Sequence, residues 1–303
     1  MKWTTWTFSA LTALAVFLPV ITADAAMLVG VTGDNTVINF DSSDPSDISG
    51  SAITGLAVNE IVRGIDFRPT TGELYALGSF GNLYTLDRFT GVATFEALIS
   101  VALNGSAFGF DFNPAADFSG LSSLRIVSNA DQNLAVNADT GAATVATPVA
   151  YPGGTPNPNI VGVAYTNSVP GGIPGGNAGP PGTQQYVIDS GSDGLVLQAF
   201  NAGTLTPVGP LGVNTTSHVG FDILASGLGP ANNVAYATLS DVAESTSELY
   251  LIVLGTGTAI NLGEIDGGVL VPHLAAVPVP EPATLALVMV GVMGLVGVGR
   301  RSR

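Results

Sequence analysis

Four strings of one form recur along this chain: Gly64-Ile65-Asp66-Phe67, Gly109-Phe110-Asp111-Phe112, Gly162-Val163-Ala164-Tyr165 and Gly220-Phe221-Asp222-Ile223. Their third positions lie 45, 53 and 58 residues apart. A unit of that length cannot bury its apolar face alone and must stack on its neighbours, so the repeat constrains the whole architecture. The spacing suits a four-stranded blade and is too long for one coil of a β-helix.

The interior of each repeat agrees. After the Gly-x-Asp-aromatic strand, short apolar runs predict a second strand at Leu74–Leu77, Leu124–Val127, Gln185–Ile188 and Val234–Thr238. A third follows at Leu83–Asp87, Leu134–Asn137, Leu195–Phe200 and Leu249–Leu254. Each then meets a turn marked by Thr90-Gly91, Thr140-Gly141, Ala202-Gly203 or Thr256-Gly257, where glycine supplies positive φ ahead of a fourth strand. The two chain ends hold the parts of a fifth unit. Met27–Val31, Val37–Asp41 and Ile48–Ile53 read as second, third and fourth strands, and Val269–Ala276 reads as a first strand with nothing after it. The expectation is an all-β, five-bladed β-propeller over residues 26–277, its N- and C-terminal strands completing one blade. A six-bladed ring or a pair of β-sandwiches is the alternative. Low-complexity insertions at Pro152–Pro158 and Val169–Thr183 lengthen the third repeat and are expected to be mobile surface loops.

The termini carry addresses. Lys2, the mostly apolar stretch Phe8–Ile21 and the small-residue site Ala23-Asp24-Ala25 form a secretory signal peptide over residues 1–25, for removal by signal peptidase. At the other end Pro280-Glu281-Pro282 precedes an uncharged run, Ala283–Gly299, and then Arg300, Arg301 and Arg303. The run reads as a transmembrane helix with its basic end in the cytoplasm. The order of tripeptide, span and arginines over residues 278–303 resembles the PEP-CTERM sorting signal of Gram-negative, exopolysaccharide-producing bacteria. That resemblance implies that Pro280, Glu281 and Pro282 are recognised by exosortase, that Arg300, Arg301 and Arg303 form the basic stop, and that the tail is removed. The repeat strings, with Arg68-Pro69 and Asn113-Pro114 following two of them, also resemble an uncharacterised bacterial extracellular domain family with a propeller-like fold. That family implies no activity and no site residues.

Between the termini, Met27–Val277 keeps four basic residues, Arg63, Arg68, Arg88 and Arg125, against 21 acidic ones, a net charge of −17. Such a surface repels nucleic acid and anionic headgroups, leaving divalent cations and neutral glycans as candidate ligands. The chain has no cysteine, so neither disulfides nor thiolate metal sites exist. His218 and His273 are the only histidines, too few for a zinc site of the usual kind, and both read as structural.

No nucleophile elbow and no phosphate-binding loop are present. Two acidic features remain. Asp189-Ser190-Gly191-Ser192-Asp193-Gly194 partly matches a calcium loop, with Asp189 and Asp193 as ligands, but Gly191 removes the third-place ligand and Phe200 stands where a glutamate is needed. A hairpin turn is the competing reading. Asp66, Asp111 and Asp222 occupy one repeat position and would recur around the ring axis. They would converge there on a metal such as calcium or on a polar ligand, or hydrogen-bond backbone amides of the neighbouring blade. Ala164 breaks the symmetry. The reading that follows is an exported cell-surface or matrix protein, with the propeller as a binding or scaffold module linked to extracellular polysaccharide and no cofactor required. The alternative is an extracellular hydrolase or lyase that uses the axial carboxylates and a divalent metal.

Overall fold

The computed structural model describes residues 25–279 except 122, 172–181, 241–244 and 267. The signal peptide, the Pro280–Arg303 signal and most of the second insertion therefore lie outside the described residues.

Twenty strands form five four-stranded antiparallel sheets. In chain order the first three are β1 (Met27–Val31), β2 (Thr36–Asp41) and β3 (Asp44–Ala52). One whole blade follows as β4 (Val62–Phe67), β5 (Leu74–Gly78), β6 (Asn82–Leu86) and β7 (Ala93–Leu98). The next holds β8 (Phe108–Phe112), β9 (Leu124–Ser128), β10 (Asn133–Val136) and β11 (Ala143–Val145), with a short helix, Pro114–Asp117, after its first strand. Then come β12 (Ile160–Tyr165), β13 (Gln185–Asp189), β14 (Gly194–Gln198) and β15 (Leu205–Pro210). The last complete blade is β16 (Val219–Ala225), β17 (Asn233–Leu239), β18 (Glu248–Ile252) and β19 (Ala259–Glu264), and β20 (His273–Ala276) ends the series. β20 pairs with β1, giving the sheet order β20-β1-β2-β3, so the two ends of the chain close one blade.

The first strand of every sheet stands at the centre. β4, β8, β12, β16 and β20 neighbour one another in that order, and β20 returns to β4. The repeat string explains how. Within it the glycine and aspartate face the next blade, while the second and fourth residues face back. A Cβ on Gly64 would sit 2.4 Å from Phe110 Cβ, one on Gly109 2.5 Å from Val163 N, and one on Gly220 2.5 Å from Leu274 N. Glycine is thus the space into which the next strand's second residue packs. Ile65, Phe110, Val163, Phe221 and Leu274 fill the axis, and the gap left between the strands is only about 10 Å³, room for about one water molecule and for no larger ligand.

One apolar cluster occupies each blade junction, such as Tyr75, Leu77, Phe110, Phe112 and Ile126 between the second and third sheets along the chain. Together the five clusters form a core divided into wedges. The turn glycines serve the outer rim. Gly91, Gly141, Gly203 and Gly257 have φ between 68° and 83°, and each lies so close to a carbonyl of the preceding blade that a Cβ would fall within 2.4 Å of it. Gly91 O and Gly141 O accept from Thr54 N and Ser100 N at 2.9 and 2.8 Å, tying outer strand ends together. The sequence motif marks both a turn and a seam.

Replacing Gly109 with alanine is expected to destabilise the protein by about 1–3 kcal/mol through overpacking, read as a lower urea midpoint with an unchanged slope. The same change at Gly72, whose Cβ would meet nothing within 4 Å, tests positive φ without crowding and should cost less.

Candidate functional site: the ring axis

Three aspartates meet where the central strands converge. One carboxylate oxygen from each of Asp66, Asp111 and Asp222 lies within 4.8 Å of the others, and the residues are 6%, 2% and 6% exposed. The topology brings them together because they share one position on three strands of the ring.

Asp66 and Asp222 bond in the same way. Asp66 Oδ1 accepts from Phe67 N at 2.7 Å, and Oδ2 accepts from Phe112 N, in the next blade, at 2.7 Å. Asp222 Oδ1 accepts from Ile223 N and Oδ2 from Ala276 N, each at 2.6 Å. Each carboxylate therefore satisfies its own strand and the one beside it. The bond to Ala276 shows that Ala275 occupies the aspartate position of the closing strand, just as Ala164 does on β12. Two of the five junctions thus lack the aspartate. Asp111 differs from the other two, since its Oδ1 is buried with no hydrogen-bond partner.

Charge follows from this crowding. At an effective dielectric of about 20, two unit charges this close repel by about 3.5 kcal/mol, before any cost of desolvation. Burial raises Asp66 well above the usual carboxylate range, with the Asp222 charge adding to it. Burial also raises Asp111 well above that range, helped by the charges of Asp66 and Asp222. Asp222 is raised by burial too, but the amides of Ala276 and Ile223 and a contact with Asp111 act the other way. Asp66 and Asp111 are thus pushed up furthest, while the amides around Asp222 hold its rise in check. A divalent cation bound to the free oxygen of Asp111 and the spare lone pairs of its neighbours would relieve the same repulsion by another route.

The calcium-loop residues are placed differently. Asp189–Gly194 forms the hairpin turn between β13 and β14. Asp189 is buried, accepting from Asn159 N and Gly191 N through Oδ1 and from the Tyr151 and Ser192 hydroxyls through Oδ2. Asp193 points instead to Thr215 N at 2.8 Å. The two carboxylates do not face a common point, and the axial trio is the acidic group that the fold assembles.

Where the central strands begin, the axis opens into a cup of about 240 Å³, with walls from all five blades. Arg63, Ser106, Ser217, His218 and His273 supply its polar lining. His273 Nε2 lies 3.0 Å from Val62 O and takes the glycine position of the repeat in β20. Burial, with Arg63 and His218 adding, lowers it to about 3, so it is neutral at physiological pH. Sequence reasoning assigned both histidines structural roles and passed over Arg63. The signal was positional: Arg63 directly precedes Gly64 and His218 lies two residues before Gly220, both at the entrance to a central strand. Glu60 was also missed. It is buried and accepts from Phe80 N, Asn82 Nδ2 and the Tyr84 hydroxyl, bracing the turn beside that entrance.

A family model described as a domain of unknown function, DUF4394, matches residues 36–275, and the PEP-CTERM protein-sorting motif matches residues 278–303. No curated protein matches the chain. Among solved structures it is similar to hydrazine synthase from Kuenenia stuttgartiensis, at 13% identity over 70% of this chain and 51% of that one, with a TM-score of 0.40. It is also similar to the Dos1 propeller, at 9% identity over 74% and 53%, with a TM-score of 0.36, and to BamB from Moraxella catarrhalis, at 9% over 76% and 68%, with a TM-score of 0.31. The chain spans about half the length of the first two. Identities this low carry no function across. The sorting motif marks an exported protein of a Gram-negative bacterium, with a membrane-anchored intermediate that exosortase processes on the way to the cell surface.

The axial carboxyls set a pH dependence of known sign. Their folded pKa values lie above the unfolded value near 3.8, so the folded state holds more protons and stability falls as pH rises above that value. In the presence of a chelator, urea midpoints between about pH 4 and about pH 8 should decline. Asp111→Asn, which keeps a neutral group there, should flatten the decline.

Proposed function

Because the chain belongs to the DUF4394 family, which brings no activity with it, we propose that the processed protein is a non-enzymatic binding or scaffold module held in the exopolysaccharide layer. In this reading signal peptidase removes residues 1–25, the propeller occupies residues 26–277, and exosortase acts at Pro280-Glu281-Pro282 before the stop formed by Arg300, Arg301 and Arg303. The observation that carries it is the use made of the axial aspartates. Asp66 and Asp222 spend both oxygens on backbone amides, and the axial gap beside them, about 10 Å³, is far too narrow for a substrate. A hydrolase or lyase built on those carboxylates would need a substrate to reach them. A cup at the mouth and five blade rims suit holding a ligand without transforming it.

A second reading concerns the trio as a structural cation site, favoured by the unpartnered Oδ1 of Asp111. A cation there would act as a rivet for the ring and not as a catalyst. The purified full chain should then gain melting temperature on adding calcium, and Asp111→Asn should remove the gain. An unchanged melting temperature across calcium, magnesium and manganese overturns the cation reading.

Retention is tested in an exosortase-bearing host. Wild-type protein is expected to lose its tail and to fractionate with the polysaccharide, whereas in a polysaccharide-deficient strain it should appear in the medium. Release of new reducing ends from the polysaccharide by wild-type protein but not by Asp111→Asn would overturn the non-enzymatic reading.

A further inference from the structure

The cup at the mouth of the axis is the place where this acidic protein presents unspent positive charge. Of the four arginines within residues 27–277, three are engaged by other side chains. Arg68 is held by Asp117 and Asp139, Arg88 lies over the Phe89 ring and bonds Asn39, and Arg125 is buried against Tyr165, Asn133 and Asn201. Arg63 has no carboxylate partner among the described residues and donates to a single backbone carbonyl, Ser106 O, at 3.3 Å. Most of its five N–H donors remain available.

No aspartate or glutamate lines the cup. The carboxylates closest in sequence are turned elsewhere. Asp34 accepts from the Thr32 hydroxyl, and Glu60 is taken up by Phe80, Asn82 and Tyr84. Arg63 and His218 both act on His273 to disfavour its protonation, and no carboxylate is among the groups that oppose them. Arg63 is therefore the full charge among the residues that line the cup, although the mature chain carries −17. At physiological salt the remote charges are screened beyond about 8 Å, so a ligand seated in the cup feels chiefly the groups that line it.

We infer that this cup binds a small oxyanion, presented as the carboxylate of an acidic sugar. Arg63 supplies the charge-assisted donors, Ser106 and Ser217 offer hydroxyls, and the imidazole of His218 borders the site. About 240 Å³ accommodates one sugar residue and not a folded partner. The mouth is open to solvent and built from all five blades, so a chain-terminal or branch residue of a polymer reaches it without distorting the ring. The inference deepens the glycan-binding reading above and rests on it for the source of the ligand, while the anion site itself stands on the geometry.

The test is isothermal titration of the full chain, in non-ionic detergent, with glucuronate, with methyl glucoside as the neutral counterpart, and with inorganic phosphate. Glucuronate should bind while methyl glucoside does not, and Arg63→Gln should weaken binding at least about tenfold, the equivalent of about 1.4 kcal/mol. Ser217→Asp, which sets a carboxylate in the cup, should abolish binding with the melting temperature kept, so a folding defect in one variant does not decide the result. Phosphate binding that is lost in Arg63→Gln, without glucuronate binding, upholds the anion site and overturns the acidic sugar as its source. Failure of both anions to bind, or equal binding by wild type, Arg63→Gln and Ser217→Asp, overturns the inference. Polysaccharide retention that persists in Arg63→Gln would then show that the scaffold reading survives without the cup.

Discussion

The structure depends on the contact between one central strand and the next. A propeller blade is a twisted sheet with two apolar faces, and nothing inside a blade dictates how many blades surround an axis. Here the contact is written into four residues. Glycine opens a space, the next strand's second residue fills it, and aspartate reaches over to the amide two residues further on. A junction that has both residues thus fixes the approach and the register of its neighbour. The five apolar wedges then add burial to a geometry that the centre has already set.

That economy has a charge cost. Putting one carboxylate per junction at a common height draws the carboxylates together at the axis, where repulsion grows with each one added. The chain uses three and places alanine at the other two junctions, Ala164 and Ala275. The uneven pattern that looks like decay of a repeat keeps the like charges at the axis to three instead of five. Asp111 is the member of the trio with an unpartnered oxygen.

Much of this was legible in the sequence, and the reasons differ by element. The strands of the four internal repeats could be placed because glycine, aspartate and the Thr-Gly turn recur at fixed offsets. The closing strand could be counted, but its motif could not be read, since His273-Leu274-Ala275-Ala276 keeps the packing positions and drops both signature residues. The meeting of Asp66, Asp111 and Asp222 followed from their shared repeat position. The division of labour among them did not, because it turns on which amides lie within reach. The cup was illegible for a similar reason. Arg63, His218 and His273 are scattered along the chain and become neighbours only when five strand entrances are brought to one ring.

The closing blade also decides how the molecule bears force. β20 is not an outer strand that could be peeled away one bond at a time. It sits at the centre, paired with β1 through Leu28 to Val31 and flanked by β4 and β16, and Val277 N still bonds Met27 O beyond its end. The sorting tail begins three residues after that bond. Tension between an anchored tail and a load on the rim therefore runs along β20 and shears its hydrogen bonds together, so the strand must slide out whole or not at all. A protein tethered by its last strand is in this way tethered by its hub.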